Sequence, residues 1–245
     1  MNFFFDALAW IFSADRLAGS NAIAPRLAEH LYYTIISVAI AAAIAIPAGY
    51  LIGHTGRGRE VAVAISGAAR ALPSFGLILL LVTVMGVLQV QAAAIIAFVI
   101  LGIPSILAGA YSGLEAIDRR TIDAARGIGM TEWQILLKVE IPLGLPLLIG
   151  GLRSATLQVV ATVTLAAYVA LGGLGYGIIQ GLPLRRFDQM LGSALLIAVL
   201  ALVLDGIFAL IQRAVVPRGV IAGQTAGQTA GSGSGRGNLS RMSLT

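Results

Sequence analysis

The sequence has no cysteine, which removes disulfides, thiolate nucleophiles and cysteine-ligated metals together. Charge is scarce: 11% of the 245 residues are Asp, Glu, Lys or Arg, against roughly 25% in a soluble domain. Lysine is almost missing. Its one instance, Lys138, follows Leu137, so the Gly-Lys-Ser/Thr core of a phosphate-binding loop is absent and the chain does not bind ATP in that way. The two histidines, His30 and His54, stand at opposite ends of one apolar run, too far apart to share a metal, and read as interfacial. No metal or cofactor is expected. No groove of bases interleaved with aromatics is present, so a nucleic-acid partner is not expected either.

What fills the chain is hydrocarbon: 58% of residues are hydrophobic and the mean hydropathy is +0.93. A bilayer-crossing helix needs about 20 mostly apolar residues, and five runs qualify, at 31–53, 71–87, 92–111, 146–171 and 189–212. Strands are disfavoured because a lipid-facing barrel alternates apolar with polar and these runs do not. The fold class expected is therefore an all-α integral membrane protein. Residues 1–12 are apolar but short and interrupted by Asp6, which reads as an interfacial helix and not a removed signal peptide.

The bases orient the spans. Twelve of the sixteen Lys and Arg residues fall on the side of the 112–145 loop, whereas Arg16, Arg26, Arg185 and Arg186 fall on the other. By the positive-inside bias that loop is cytoplasmic, the N-terminus outside and the C-terminus inside, with anionic lipid as a contact. Three regions follow: an external N-terminal segment at 1–30, a membrane domain at 31–216 and, from the Gly-Gln-Thr-Ala repeat onward, a disordered cytoplasmic tail at 217–245.

Between Glu115 and Glu140 lie five of the eleven acids and four of the sixteen bases, whereas 71–114 carries no charge. A membrane protein that concentrates charge in one internal loop presents a docking surface there. Asp118 is placed to cap a helix running to about Ile128, Gly129 to end it in the left-handed region, and Thr131 with Gln134 to form a capping box for a second helix. Pro142 and Pro146 then punctuate the return to the membrane. Ala124 and Ala125 leave the first helix a smooth side that another backbone can approach, flanked by Asp123 and Arg126.

This pattern, Asp123-Ala124-Ala125, then Gly129, then Val139, Ile141 and Pro142, resembles the coupling loop of permease subunits in bacterial ATP-binding-cassette importers of type I. Gly113-Leu114-Glu115-Ala116-Ile117-Asp118, Val139-Glu140-Ile141-Pro142-Leu143, Gly150-Gly151-Leu152-Arg153, Gly172-Gly173-Leu174-Gly175 and Leu72-Pro73-Ser74 are similar to the osmoprotectant branch, which imports glycine betaine, choline, carnitine or proline-type solutes. The resemblance implies an inner-membrane subunit without enzymatic activity, partnered by a dimeric ATPase, a second permease and an extracytoplasmic solute-binding protein. It implies that Asp123, Ala124, Ala125, Arg126, Gly129 and Pro142 dock the ATPase. Asp123 stands where the family usually has Glu, and Ala170-Leu171 replaces a run of small residues before Gly172; both departures bear on partner or solute choice.

Pro73, Ser74 and Pro104, with Gly172, Gly173 and Gly175, are the gating or packing candidates, since kinked spans near a path move and ordinary packing also uses kinks. Asp205 is an acid inside a span, and Arg153 reaches a similar depth on the preceding one, so the two are expected to form an ion pair that braces the fourth and fifth spans. Three competing readings stand beside the main one: a methionine or other amino-acid importer permease, a secondary carrier, and an intramembrane hydrolase using Ser74 or Ser105. The last lacks a histidine or lysine base inside a span.

Overall fold

The computed structural model describes residues 2–19 and 22–215; the tail expected to be disordered at 217–245 lies outside them. In chain order the helices are α1 (Phe3–Ile11), α2 (Ala14–Ala18), α3 (Ile23–Thr55), α4 (Arg59–Ala71), α5 (Ser74–Met85), α6 (Val90–Glu115), α7 (Arg119–Gly127), α8 (Glu132–Ile135), α9 (Ile141–Val163), α10 (Tyr176–Gly181) and α11 (Phe187–Val215). A π-helical turn at Leu136–Glu140 joins α8 to α9, and a 3₁₀ segment at Thr164–Val169 follows α9. No strand occurs among the described residues.

Four helical stretches are long and apolar enough to cross a membrane, and the bent pair α4 and α5 makes a fifth crossing if taken as one span. Helix α6, uncharged up to its last residue Glu115, is the most enclosed of them and packs against α3 on one side and α9 on the other. α11 packs on α9, and α1 lies along α11 with Trp10 buried over Gly192.

The contacts around α6 are made backbone to backbone. A Cβ placed on Gly113 would lie 2.6 Å from the Gly144 carbonyl oxygen, one on Gly109 2.7 Å from that of Leu147, and one on Gly151 2.6 Å from that of Ser105. Small residues allow this approach, which is how helices gain contact when lipid is as apolar as their own side chains.

Four expectations need correction. The second run, 71–87, is not one straight span. Leu72 is extended (φ −68°, ψ 130°), as a residue before proline must be, and α4 and α5 meet there at 88°. Hydropathy registers composition and not direction, so the bend was invisible to it. Pro142 and Pro146 do not break the chain: α9 begins at Ile141, carries Pro142 in its first turn and runs through Pro146, the wider π turn taking up the register change. α3 starts at Ile23, so residues 23–30 continue the helix of the first span and do not form a segment separate from it. His30 is not at an exposed surface of the span. It lies inside that helix with 0% of its surface exposed.

Candidate functional site

The charged loop folds by local rules. Asp118 accepts a hydrogen bond from the Arg120 amide at 2.9 Å and starts α7. At the other end Gly129 has φ 86°, the Met130 amide donates to the Ala125 carbonyl at 3.1 Å, and the Gly129 amide donates to that of Arg126 at 2.9 Å. These are the two bonds of a Schellman stop, which needs a residue free to adopt positive φ. Thr131 and Gln134 then cap α8 reciprocally: the Thr131 amide donates to Gln134 Oε1 at 2.9 Å and the Gln134 amide to Thr131 Oγ1 at 3.4 Å.

The orientation of α7 differs from the simple reading of its two alanines. Ala125 is 7% exposed and turned into the chain, while Ala124 faces outward with Asp123 and Arg126. Around it Ile128 is 80% and Trp133 73% exposed. Large apolar side chains bare at a charge-rich end are what an interface core uses; Trp133 and Ile128 were not singled out from sequence, where each passes for an ordinary hydrophobe.

Behind α7 the loop is wired to the spans by charge. Arg126 donates from Nε and Nη2 to the two Glu132 oxygens at 2.8 and 3.0 Å, a bidentate fork, and Asp123 Oδ1 lies 3.6 Å from its Nη1. That carboxylate pair holds the Arg126 guanidinium protonated more firmly than usual, mainly through the Glu132 hydrogen bond. Glu132 lies 3.7 Å from His54 Nε2 at the end of α3, and His54 Nδ1 contacts the buried Glu140 at 2.5 Å. A polar cleft of about 530 Å³ opens beside this chain, lined by His54, Arg59, Glu115, Asp123, Arg126 and Glu140. His54 and Glu140 are 86 residues apart, so no spacing in the sequence announces them.

At the opposite end of α3, Glu29 and His30 grip the turn after α9. Glu29 Oε2 accepts the Gly173 amide at 2.8 Å and an Arg26 Nη1 bond at 3.1 Å. His30 Nδ1 accepts the Leu174 amide at 3.3 Å, which leaves Nε2 as the donor to the Val160 carbonyl at 3.1 Å. Both ring nitrogens are thereby engaged with backbone, so His30 offers no free base to a serine nucleophile. Gly172 and Gly173 have φ 78° and 75°, and a Cβ on Gly175 would collide with the Thr164 carbonyl. The remaining candidates are dispersed: Pro73 and Ser74 form the α4–α5 elbow, Pro104 is buried inside α6, and Pro142 opens α9.

Arg153 on α9 donates from Nε and Nη2 to Asp205 Oδ1 and Oδ2 on α11 at 2.5 and 2.6 Å. Seven residues after Asp205, two turns along α11, Gln212 Nε2 donates to the Pro146 carbonyl at 3.1 Å. Both ties join the same two helices.

Over residues 45–219 the chain matches the model of the binding-protein-dependent transport system inner membrane component family. It belongs to that family. The permease is 31% identical over 192 residues to the glycine betaine/carnitine/choline transport system permease protein OpuCB of Bacillus subtilis, covering 78% of this chain and 88% of that one. It is 32% identical over 198 residues to the osmoprotectant import permease protein OsmW of Salmonella typhimurium, covering 78% and 91%. Among solved structures it superposes on a chain of the inward-facing MetNI methionine ABC transporter with a TM-score of 0.70 at 25% identity, covering 79% of this chain and 96% of that one. The permease is thus a multi-pass inner-membrane transport subunit with the helical fold of ABC importer permeases.

Proposed function

We propose that this permease is the membrane-embedded half of an ATP-driven importer of compatible solutes, quaternary ammonium compounds or proline. The observation that carries this reading is the 31% identity to a glycine betaine/carnitine/choline permease over 78% of the chain. The match to the methionine transporter is weaker in identity, 25%, and speaks to architecture. A second permease, identical or homologous, completes the path, because about five spans rarely enclose one alone. A separate ATPase dimer docks on the α7–α8 end through Asp123, Ala124, Arg126 and the stop at Gly129, and an extracytoplasmic binding protein delivers the solute. Ala125 and Pro142 support that surface from within: Ala125 seats α7 against the chain and Pro142 starts α9. The N-terminus lies outside and the C-terminus inside, and residues 112–145 act as the coupling loop.

The test is reconstitution of the permease with its ATPase and binding protein in proteoliposomes. ATP-dependent uptake of labelled glycine betaine, choline, carnitine or proline is expected. Uptake of methionine and none of these solutes would reassign the permease to amino-acid import.

A further inference from the structure

At the start of α11, the end away from the tie between Gln212 and Pro146, two cavities adjoin, and Phe3 and Phe187 line both. The first, about 600 Å³, is lined by acids and bases of α1, α2 and the turn that leads into α11. The second, about 620 Å³, has no charged residue in its wall; Ile178, Met190, Leu191 and Ala194 line it besides the two phenylalanines. The rings of Phe3 and Phe187 meet edge to face at 5.8 Å where the cavities join. Along α11, a helix long and apolar enough to cross a membrane, the charged cavity comes first. The apolar one continues to Ala194, seven residues past Phe187, or about 10 Å at 1.5 Å per residue. A charged compartment beside an oily one fits an amphiphile, and in a membrane subunit that amphiphile is a phospholipid.

Three acids and three bases line the charged cavity, and four of the six are matched. Arg186 Nη2 donates to Asp188 Oδ2 at 3.1 Å, and Arg16, stacked over Trp10 at 4.3 Å, has its Nε 3.9 Å from Asp15 Oδ2. Asp6 and Arg185 are left, each exposed and with no side-chain hydrogen bond or ion pair among the described residues. Arg185 also stands where glycine is the unstrained choice. Its φ is 53°, the Arg186 amide donates to the Gly181 carbonyl at 2.9 Å, and the Arg185 amide donates to that of Leu182 at 3.3 Å. These bonds make Arg185 the left-handed residue of a Schellman stop. Of the eight positive-φ residues among those described, six are glycine and one is Ala170, so Arg185 alone puts a long side chain there. A strained residue of this kind points to a use for its side chain, because glycine would remove the strain.

One unmatched base and one unmatched acid beside an apolar cavity select the headgroup. A guanidinium suits a phosphate, and a carboxylate suits an ammonium that has N–H donors. We propose that the paired cavities between α1, α10 and α11 hold one phosphatidylethanolamine molecule, with its phosphate on Arg185, its ammonium on Asp6 and an acyl chain over Phe187, Met190 and Ala194. Phosphatidylglycerol brings no cation for Asp6, and the trimethylammonium of phosphatidylcholine has no N–H to donate. The lipid adds a second tie between α1 and α11, beside the one that Trp10 makes over Gly192. The site is independent of which solute the permease carries.

The test is thermal unfolding of the delipidated full chain in detergent, with one lipid added back at a time. Saturating phosphatidylethanolamine is expected to raise Tm by about 5 °C or more, as a ligand of the native state does, and phosphatidylglycerol and phosphatidylcholine by at most about half of that. Arg185→Gly is expected to be at least as stable as the parent without lipid, because the left-handed arginine is gone, and to lose most of the phosphatidylethanolamine shift. Asp6→Asn is expected to keep a shift but to respond equally to phosphatidylethanolamine and phosphatidylcholine. The proposal is overturned if Arg185→Gly responds to phosphatidylethanolamine as the parent does, or if the three lipids stabilise the parent equally. A lipid-free Arg185→Gly protein less stable than the parent also overturns it, by showing that the arginine serves the fold. Stabilisation by water-soluble phosphoethanolamine as large as that by the whole lipid would assign the charged cavity to a free zwitterion and remove the lipid from it.

Discussion

Gly113→Ala adds one methyl group and should both destabilise the permease and weaken its coupling. The new Cβ would sit 2.6 Å from the Gly144 carbonyl oxygen and 3.2 Å from the Gly144 Cα. Ordinary contact begins near 3.4 Å, and both obstacles are backbone, which cannot rotate away as a side chain can. α6 and α9 must therefore separate by about 0.8 Å at their crossing, and a gap of that size forfeits a quarter to a half of each dispersion contact it opens. Overpacking of this kind costs about 1–3 kcal/mol, offset by the roughly 1 kcal/mol that alanine gains over glycine in a helix. The net loss of up to about 2 kcal/mol corresponds to a Tm lower by up to about 8 °C for a chain of this length. Gly206→Ala on α11 is the internal comparison, because a Cβ there meets nothing within 4 Å; its expected shift is zero or upward by a few degrees. Thermal unfolding in detergent, followed by circular dichroism, measures both. Coupling should suffer as well, since Gly113 and Gly144 touch where α6 enters the docking loop and α9 emerges from it. ATP-driven uptake per assembled complex reads that loss. A Gly113→Ala protein as stable and as active as Gly206→Ala would refute the view that these helices are held at backbone contact.

Ala124→Glu and Trp133→Ala should reduce co-purification of the ATPase severalfold with little change in Tm, whereas Ala125→Glu should lower Tm because that side chain is buried; ATPase retention unaffected by all three would remove α7 as the docking element. Arg153→Gln and Asp205→Asn should each lower Tm, and the double variant should recover at least half of the larger loss; a double variant no better than the worse single one would dissolve the brace. Cysteine at Leu88, 95% exposed, and at Ile128, 80% exposed, reports on the two ends of the bundle. An impermeant maleimide should label Leu88→Cys and spare Ile128→Cys in spheroplasts, and the reverse pattern would invert the topology.

Features fixed by neighbours within a few residues could be read from the chain. The cap at Asp118, the stop at Gly129 and the capping box at Thr131 and Gln134 depend on hydrogen bonds spanning at most five positions. Arg153 and Asp205 could be matched because charges are rare in spans, so each had few possible partners. Direction was not readable. Nothing in the run from 71 to 87 says that Pro73 turns α4 and α5 through 88°, and nothing in Ala124-Ala125 says which alanine looks outward. Long-range polar ties were equally hidden: His30 meets Leu174 at a separation of 144 residues and Val160 at 130, and a lone histidine at the edge of an apolar run looks the same whether it faces headgroups or a neighbouring backbone.

α3 has a grip at each end. Beside the docking loop its His54 meets Glu140 and also Glu132, which in turn holds Arg126, while Glu29 and His30 hold the glycine turn on the opposite side. The 24 residues from His30 to His54 lie within one helix and span about 36 Å. A helix is stiff along its axis because its turns are hydrogen-bonded to one another, a ladder that α3 interrupts at Pro47, where one amide donor is missing. α3 therefore joins the charged loop to the turn at Gly172 and Gly173 through a single helix, by a route that does not include the elbow at Pro73.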